Sequence, residues 1–100
     1  MIDAGPSLRA AEGLTGSIFA VYLLEKRWSG QPSRVEGISI FSKIVEGADE
    51  PVEFILPVVP GFTDERLRIA DALRTVAAVE DRSVDAVADE VRQVANATAK

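Results

Sequence analysis

The most regular pattern of apolar and polar positions lies in the middle of the chain, where two segments alternate with a period of two. The alternating apolar positions are Ile38, Ile40, Ile44, Val52, Phe54, Leu56 and Val58. Such alternation is typical of strands with one buried face, and it predicts strands near residues 38–45 and 52–59. Residues 46–51 between them read Glu-Gly-Ala-Asp-Glu-Pro, a turn composition that predicts a hairpin. Pro57 lacks a backbone N–H, which favours a sheet edge or a bulge for the second strand.

A helical period replaces this alternation after residue 63. Apolar residues then recur at Leu67, Ile69, Ala70, Leu73, Val76 and Ala77, and again at Val84, Val87, Val91 and Val94. Thr63 and Ser83 stand where side-chain caps are needed, and a break at residues 80–82 separates the two stretches. We predict helices near 64–80 and 84–97, and a connection this short predicts a helical hairpin.

Residues 17–28 have two interpretations. Ile18, Val21, Tyr22, Glu25 and Trp28 lie on one face of a helix. The unbroken run Ile-Phe-Ala-Val-Tyr-Leu-Leu, however, suits a strand that is buried on both faces. The β-branched and aromatic residues of this run favour the strand. We therefore predict a strand near 17–28, with a helix as the alternative.

Residues 1–16 hold three glycines and one proline, which interrupt regular structure, so we predict an N-terminal arm with a short helix. Residues 17–100 are predicted to form one globular domain, and a chain of 100 residues with 47% apolar content fits that size. The predicted fold class is α+β, with a small antiparallel sheet of about three strands followed by a C-terminal helical hairpin.

The composition removes several kinds of chemistry. The chain has no cysteine and no histidine, which excludes disulfides, the usual zinc sites and nucleophiles paired with an imidazole base. Carboxylate, lysine, arginine and hydroxyl groups remain, and their spacing predicts no catalytic group. We therefore predict no enzyme activity and no cofactor, with a metal-dependent hydrolase as the alternative.

The acidic residues Glu46, Asp49, Glu50 and Glu53 form the one local concentration of oxygen ligands in the sequence. Calcium or magnesium accepts such ligands, but an EF-hand loop needs them at alternate positions, with a glutamate at the twelfth. The cluster is therefore interpreted as solvated charge around the predicted turn, and no metal site is predicted.

Sixteen acidic residues against eleven basic ones give a net charge of −5, which repels polyanions at long range. Lys26, Arg27 and Arg34 form a small basic patch with Trp28, a combination that can hold a phosphate or stack on a base. We interpret Trp28 instead as a cap on the core. A helix-turn-helix in the last two helices would bring Asp85 and its acidic neighbours close to phosphates, which argues against nucleic-acid binding.

The valines of the last predicted helix face either this chain's own sheet or a partner helix. Two apolar helix stripes exceed what one small sheet can cover, and the surplus favours a symmetric dimer. The candidate interface residues are Val84, Val87, Val91, Val94 and Trp28. We predict a small non-enzymatic protein–protein interaction module that binds itself or another protein, forms a homodimer and acts as an adaptor or regulatory domain. The alternative is a nucleic-acid-binding transcriptional regulator that uses the C-terminal helix pair.

The apolar run at residues 18–24 is seven residues long, well short of the ~20 that span a bilayer. No basic cluster precedes it, as a signal peptide would require. We therefore predict a cytoplasmic protein with no membrane partner. The basic residues are mostly arginine, and alanine and valine are abundant, which is typical of a bacterial genome rich in G and C.

Overall fold

The computed structural model describes residues 5–98. Its elements in chain order are α1 (Gly5–Ala10), α2 (Gly16–Glu25), β1 (Ser29–Pro32), β2 (Ile38–Lys43), β3 (Val52–Pro57), α3 (Glu65–Glu80) and α4 (Val84–Thr98). The three strands form one sheet, and the helical hairpin of α3 and α4 follows it. The predicted α+β class is therefore confirmed.

The sheet has the order β1-β2-β3, and both pairs of neighbouring strands are antiparallel. The predicted hairpin is β2 and β3, in register at Phe41 with Phe54 and at Lys43 with Val52. Strand β3 lies at an edge of the sheet, one of the two alternatives that Pro57 favoured. The other edge is β1, a short strand that ends at Pro32.

The strand predicted near 17–28 is wrong, because these residues form helix α2 and the third strand is β1. The side-chain oxygen of Thr15 accepts a hydrogen bond from the N–H of Ile18 at 3.3 Å and thereby caps the first turn. Phe19, Tyr22 and Leu23 are buried, at the spacing of one helical face. The run is therefore buried on one side only, which a helix accommodates.

The two C-terminal helices, α3 and α4, agree with the helices predicted near 64–80 and 84–97. The hydroxyl of Ser83 accepts a hydrogen bond from the N–H of Ala86 at 3.1 Å, so the predicted cap of α4 is confirmed. The predicted cap of α3 is one residue off. Asp64 rather than Thr63 precedes the helix, and its side chain makes no capping bond.

Helix α1 confirms the short helix predicted in the N-terminal arm, although residues 1–4 of that arm lie outside the described part of the chain. It packs against α3 and α4, and Ala10 is buried there together with Ala11, which follows the helix. The guanidinium of Arg92 donates to the carbonyl oxygen of Ala10 at 2.7 Å. Residues 5–16 thus share one core with the rest of the chain.

The core lies between one face of the sheet and the helices. Its largest fully buried side chains are Tyr22, Phe19, Leu23, Leu56, Ile69, Leu73, Val76, Val87, Val91 and Pro57. Because neighbouring residues of a strand point to opposite faces, Phe41 and Leu56 face the helices while Ile40 and its partner Ile55 face away. None of the helices within residues 5–98 is both long enough and apolar enough to cross a bilayer.

Candidate functional site

Three of the five candidate interface residues are buried in the core, and the other two are partly buried. Val87 and Val91 are fully buried, and Trp28 is 2% exposed. Val84 and Val94 are partly buried against the same core. The reason is that α1, α2 and α3 all pack against α4, so the valine stripe is covered from three sides. Val87, Val91 and Trp28 are therefore not accessible to a second subunit, whereas Val84 and Val94 keep some exposed surface.

Trp28 follows α2 and closes one end of the core. Its ring packs on that of Phe54, with 5.1 Å between the ring centroids, and the Lys43 ammonium lies 5.9 Å from the centre of its ring. Its buried indole N–H has no hydrogen-bond partner among the described residues. Trp28 is therefore a core side chain, and stacking on a nucleic-acid base would require it to leave the core.

A polar cluster joins α2 to the end of α3 and to α4. The hydroxyl of Tyr22 lies 3.1 Å from a carboxylate oxygen of Glu80 and 3.3 Å from one of Glu90. Arg82 donates to the same two carboxylates, at 3.0 Å and 2.9 Å. Lys26 at the end of α2 adds an ion pair with Glu90 at 3.6 Å. Three elements are thus held together by one connected set of hydrogen bonds.

The electrostatics of this cluster favour a structural role. Burial raises the pKa of the Tyr22 phenol, and the neighbouring Glu80 carboxylate raises it further. The hydrogen bond from Arg82 lowers the pKa of Glu90. The phenol therefore stays protonated at neutral pH, and Arg82 and Lys26 offset the negative charge of the two carboxylates.

We expect the Tyr22→Phe variant to lose about 2 kcal/mol of unfolding free energy at neutral pH, because a hydrogen bond to a carboxylate disappears. The difference from wild type should shrink above pH ~10, where the tyrosine of an unfolded chain ionises. Unfolded wild-type protein releases the proton there, whereas the raised pKa of folded Tyr22 retains it. Urea denaturation at pH 7 and at about pH 11 measures both differences, and a loss that grows with pH contradicts the assignment.

The acidic residues of the predicted turn are solvated. Glu46, Asp49, Glu50 and Glu53 are all exposed. Within residues 5–98 no group of three acidic side chains is arranged to hold a metal ion. The structure thus places these carboxylates around the β2–β3 turn, where they face water.

A surface at the edge of the sheet combines an unpaired strand with an apolar groove. Within the described chain, β3 pairs only with β2, so its outer edge has no backbone partner. A groove of about 540 Å³ lies between the start of β3 and α3, and its lining residues are Val45, Val52, Arg74, Thr75, Ala78 and Val79. We call the outer edge of β3 together with this groove the β3 surface. Such an edge is a template for pairing with another strand.

Comparison of the chain with protein-family models, with curated proteins and with solved structures finds no match.

Only part of the β3 surface could be predicted from the sequence. Pro57 predicted an edge position for the strand, and that is where β3 lies. The groove could not be predicted, because an apolar residue of α3 can be fully covered, as Val76 is, or only partly covered, as Val79 is, and the sequence does not distinguish the two.

Proposed function

We propose that this chain is a non-enzymatic protein–protein interaction module that forms a homodimer through the β3 surface. The observation that carries the proposal is the free edge of β3, a strand of six residues next to an apolar groove. An adaptor or regulatory role in a bacterial cytoplasm belongs to the same proposal. The internal neutralisation of the Tyr22 cluster supports the absence of catalysis.

The two edges of the sheet differ in how well they suit pairing. Strand β1 has four residues, Ser-Gly-Gln-Pro, and its short length and Pro32 both discourage a further strand. Strand β3 has six residues, Val-Glu-Phe-Ile-Leu-Pro, with one charge and with its proline at the end. The exposed edge of β3 is thus the one that lacks protection against pairing.

A second copy of the chain fits this surface by symmetry. Two copies related by a two-fold axis through the β3 edge would place their β3 strands antiparallel, which is the pairing already present within the sheet. Each copy's α3 would then approach the partner's α3 and cover the groove. The one charged residue that lines the groove, Arg74, is already paired with Asp71, so covering the groove leaves this cation in an ion pair.

The area that a stable dimer buries determines which residues the interface must include. A standard interface buries ~800 Å² per partner, roughly an eighth of the 6509 Å² of accessible surface. The strand edge alone is too narrow for this area. The groove on the helix side of β3 and the side chain of Ile55 on its other side, which is 38% exposed, would have to be buried as well.

We expect light scattering to give twice the 10.7 kDa mass of one chain, and we expect the Ala78→Glu variant to dissociate. Ala78 is exposed in α3 and lines the groove, and an unpaired carboxylate there would be desolvated by the partner, which weakens the dimer by about tenfold or more. The matched control is Ala97→Glu, at an exposed site on α4. Wild type that remains monomeric at high concentration would refute the proposal.

Hydrogen exchange locates the interface independently of the mutation. In a dimer paired through β3, the outward-facing amides within residues 52–56 should exchange slowly at high protein concentration and rapidly after dilution. The amides of β1 should exchange at the same rate under both conditions, since their edge stays free. If only the amides of another element exchange more slowly at high protein concentration, the dimer forms through that element and not through β3.

The alternative function, nucleic-acid binding through α3 and α4, has less support. Asp85 and Asp89 are exposed on α4, and Arg92, the cation of that helix, bonds to Asp89 and to the carbonyl oxygens of Ala10 and Glu12. A mobility-shift assay at low and high salt tests it, because contacts with phosphates weaken steeply as salt rises. Salt-sensitive binding that Arg92→Gln removes would favour this alternative.

A further inference from the structure

The hydrogen bonds of the sheet show which backbone groups of β3 face its open edge. The N–H of Val58 donates to the carbonyl oxygen of Gly37 at 2.8 Å, and this bond extends the β2–β3 register by one pair. In an antiparallel ladder, pairs that exchange hydrogen bonds alternate with pairs that do not. The even-numbered residues of β3 therefore bond to β2, and the backbone groups of Glu53, Ile55 and Pro57 are directed at the open edge.

The part of this edge that can pair with another strand is short. Glu53 and Ile55 each present an N–H and a carbonyl oxygen, whereas Pro57 has no N–H. An added Cβ at Gly16 would overlap the carbonyl oxygen of Pro57, so the start of α2 covers that acceptor. Pro51, two residues before Glu53, has no N–H either. We call the backbone N–H and carbonyl groups of Glu53 and Ile55 the edge groups.

We propose that the two copies pair in one register, with Glu53 of each copy opposite Ile55 of the partner subunit; this inference rests on the proposed homodimer through the β3 surface. Each of the two Glu53–Ile55 pairs exchanges two hydrogen bonds. The edge groups of the two copies thus satisfy one another with four bonds. Phe54 lies on the two-fold axis, opposite Phe54 of the partner subunit, in a pair that exchanges no hydrogen bonds.

The neighbouring symmetric registers are less favourable. Setting Glu53 opposite Glu53 of the partner subunit would bring two carboxylates directly together, which is destabilising. Setting Ile55 opposite Ile55 of the partner subunit would leave Glu53 facing Pro57, which has no N–H and whose carbonyl oxygen α2 covers. A shift by a single residue would set the edge groups opposite residues whose backbone groups already bond to β2. The proposed register avoids all three costs.

The apolar side chains on the helix side of β3 also fit this register. Phe54 is partly buried against the core, and its ring packs on those of Trp28 and Phe41. On the two-fold axis it meets the same ring of the partner subunit, and aromatic pairs opposite each other in an antiparallel sheet are stabilising. Val52, which lines the groove, comes opposite Leu56 of the partner subunit. The dimer thereby continues the apolar layer between sheet and helices.

Pairing through β3 leaves a β1 strand at each end of a six-stranded sheet. The N–H of Ser33 donates to the carbonyl oxygen of Ile38 at 3.0 Å. By the same alternation, the outward groups of β1 belong to Gly30 and Pro32. Of these two residues, Gly30 alone has an N–H. Because so little of this edge can pair, we expect the assembly to stop at two copies rather than to continue into a filament.

Proline and alanine at position 55 test the edge groups. Ile55→Pro removes an N–H that has no bond within the sheet, so the variant should fold, as circular dichroism can check. Two of the four bonds between the copies are lost, and the dimer dissociation constant should rise about tenfold or more. Ile55→Ala is the matched control, since it removes the side chain but keeps the N–H, and it should weaken the dimer less.

An isotope-filtered NOE spectrum of a dimer mixed from ¹³C-labelled and unlabelled chains measures the register itself. Residues that face each other without hydrogen bonds have their Cα atoms ~4.5 Å apart. We therefore expect a strong contact between the Hα atoms of Phe54 in the two copies. The register with Glu53 opposite Glu53 would instead give a contact from Phe54 to Val52 of the partner subunit, and the register with Ile55 opposite Ile55 a contact to Leu56 of the partner subunit.

The outcomes separate this inference from the proposed function. A dimer whose Phe54 contacts Val52 or Leu56 of the partner subunit keeps the homodimer through β3 and overturns the register. An Ile55→Pro variant that folds and dimerises as tightly as Ile55→Ala overturns the use of the edge groups. A wild-type protein that stays monomeric, or a dimer without any contact between the two β3 strands, overturns both proposals.

Discussion

Replacing Gly16 with alanine should lower the free energy of unfolding by at least about 2 kcal/mol. Gly16 is the buried first residue of α2, and an added Cβ would overlap the backbone carbonyl of Pro57 at the end of β3. The overlap is with backbone, so no side chain can rotate to relieve it, and overpacking of this kind costs ~3 kcal/mol or more. Alanine's better helix propensity returns at most ~1 kcal/mol.

The measurement is urea denaturation of the Gly16→Ala variant beside Ser17→Ala. Ser17 is the exposed neighbour of Gly16 in the same helix, so its substitution tests alanine at that turn without the overlap, and its effect should stay within ~0.5 kcal/mol. Equal stabilities of the two variants would mean that α2 does not abut the end of β3 as closely as the structure shows.

The C-terminal helices and the hairpin could be predicted because their patterns are local. The period of Leu73, Val76 and Ala77 fits only a helix, and the cap at Ser83 marks where the next helix begins. Glycine and proline in the turn between β2 and β3 separate two alternating runs. In each case burial on one face imposes a period, and that period is visible without knowledge of the partner.

Residues 17–28 were predicted wrongly because a run of consecutive apolar residues shows neither a helical nor a strand period. Seven consecutive apolar residues satisfy both a strand with two buried faces and a helix in a crowded core. The signals for the helix were the cap at Thr15 and the spacing of Phe19, Tyr22 and Leu23. Strand β1 was missed because its four residues, Ser-Gly-Gln-Pro, are all exposed and carry no alternation of polarity.

The candidate surfaces depend on packing that a sequence pattern does not contain. The valines of α4 look the same whether they cover the chain's own core or a partner, and only the placement of α1, α2 and α3 shows that they are internal.

Replacing Trp28 with alanine should lower the free energy of unfolding by about 3–5 kcal/mol, the cost of truncating a large aromatic core residue. The side chain is 2% exposed and packs on Phe54, so its removal leaves a cavity between α2 and the sheet. The Trp28→Phe variant should lose much less. It keeps the aromatic contact and removes the buried N–H that has no partner among residues 5–98.

The dependence on protein concentration decides whether Trp28 belongs to the core or to an interface. Truncation of a core residue destabilises each chain by itself. The loss of unfolding free energy in the Trp28→Ala variant should therefore be the same at low and at high protein concentration. An interface residue would instead leave the monomer's stability unchanged and lower only the concentration-dependent part. Urea denaturation across a hundredfold range of protein concentration distinguishes the two roles. The Ala78→Glu variant serves as the reference, because we expect it to remove only the stability that depends on concentration. If the loss at Trp28 vanished in dilute solution, Trp28 would lie in the interface and the β3 surface would not be the contact between copies.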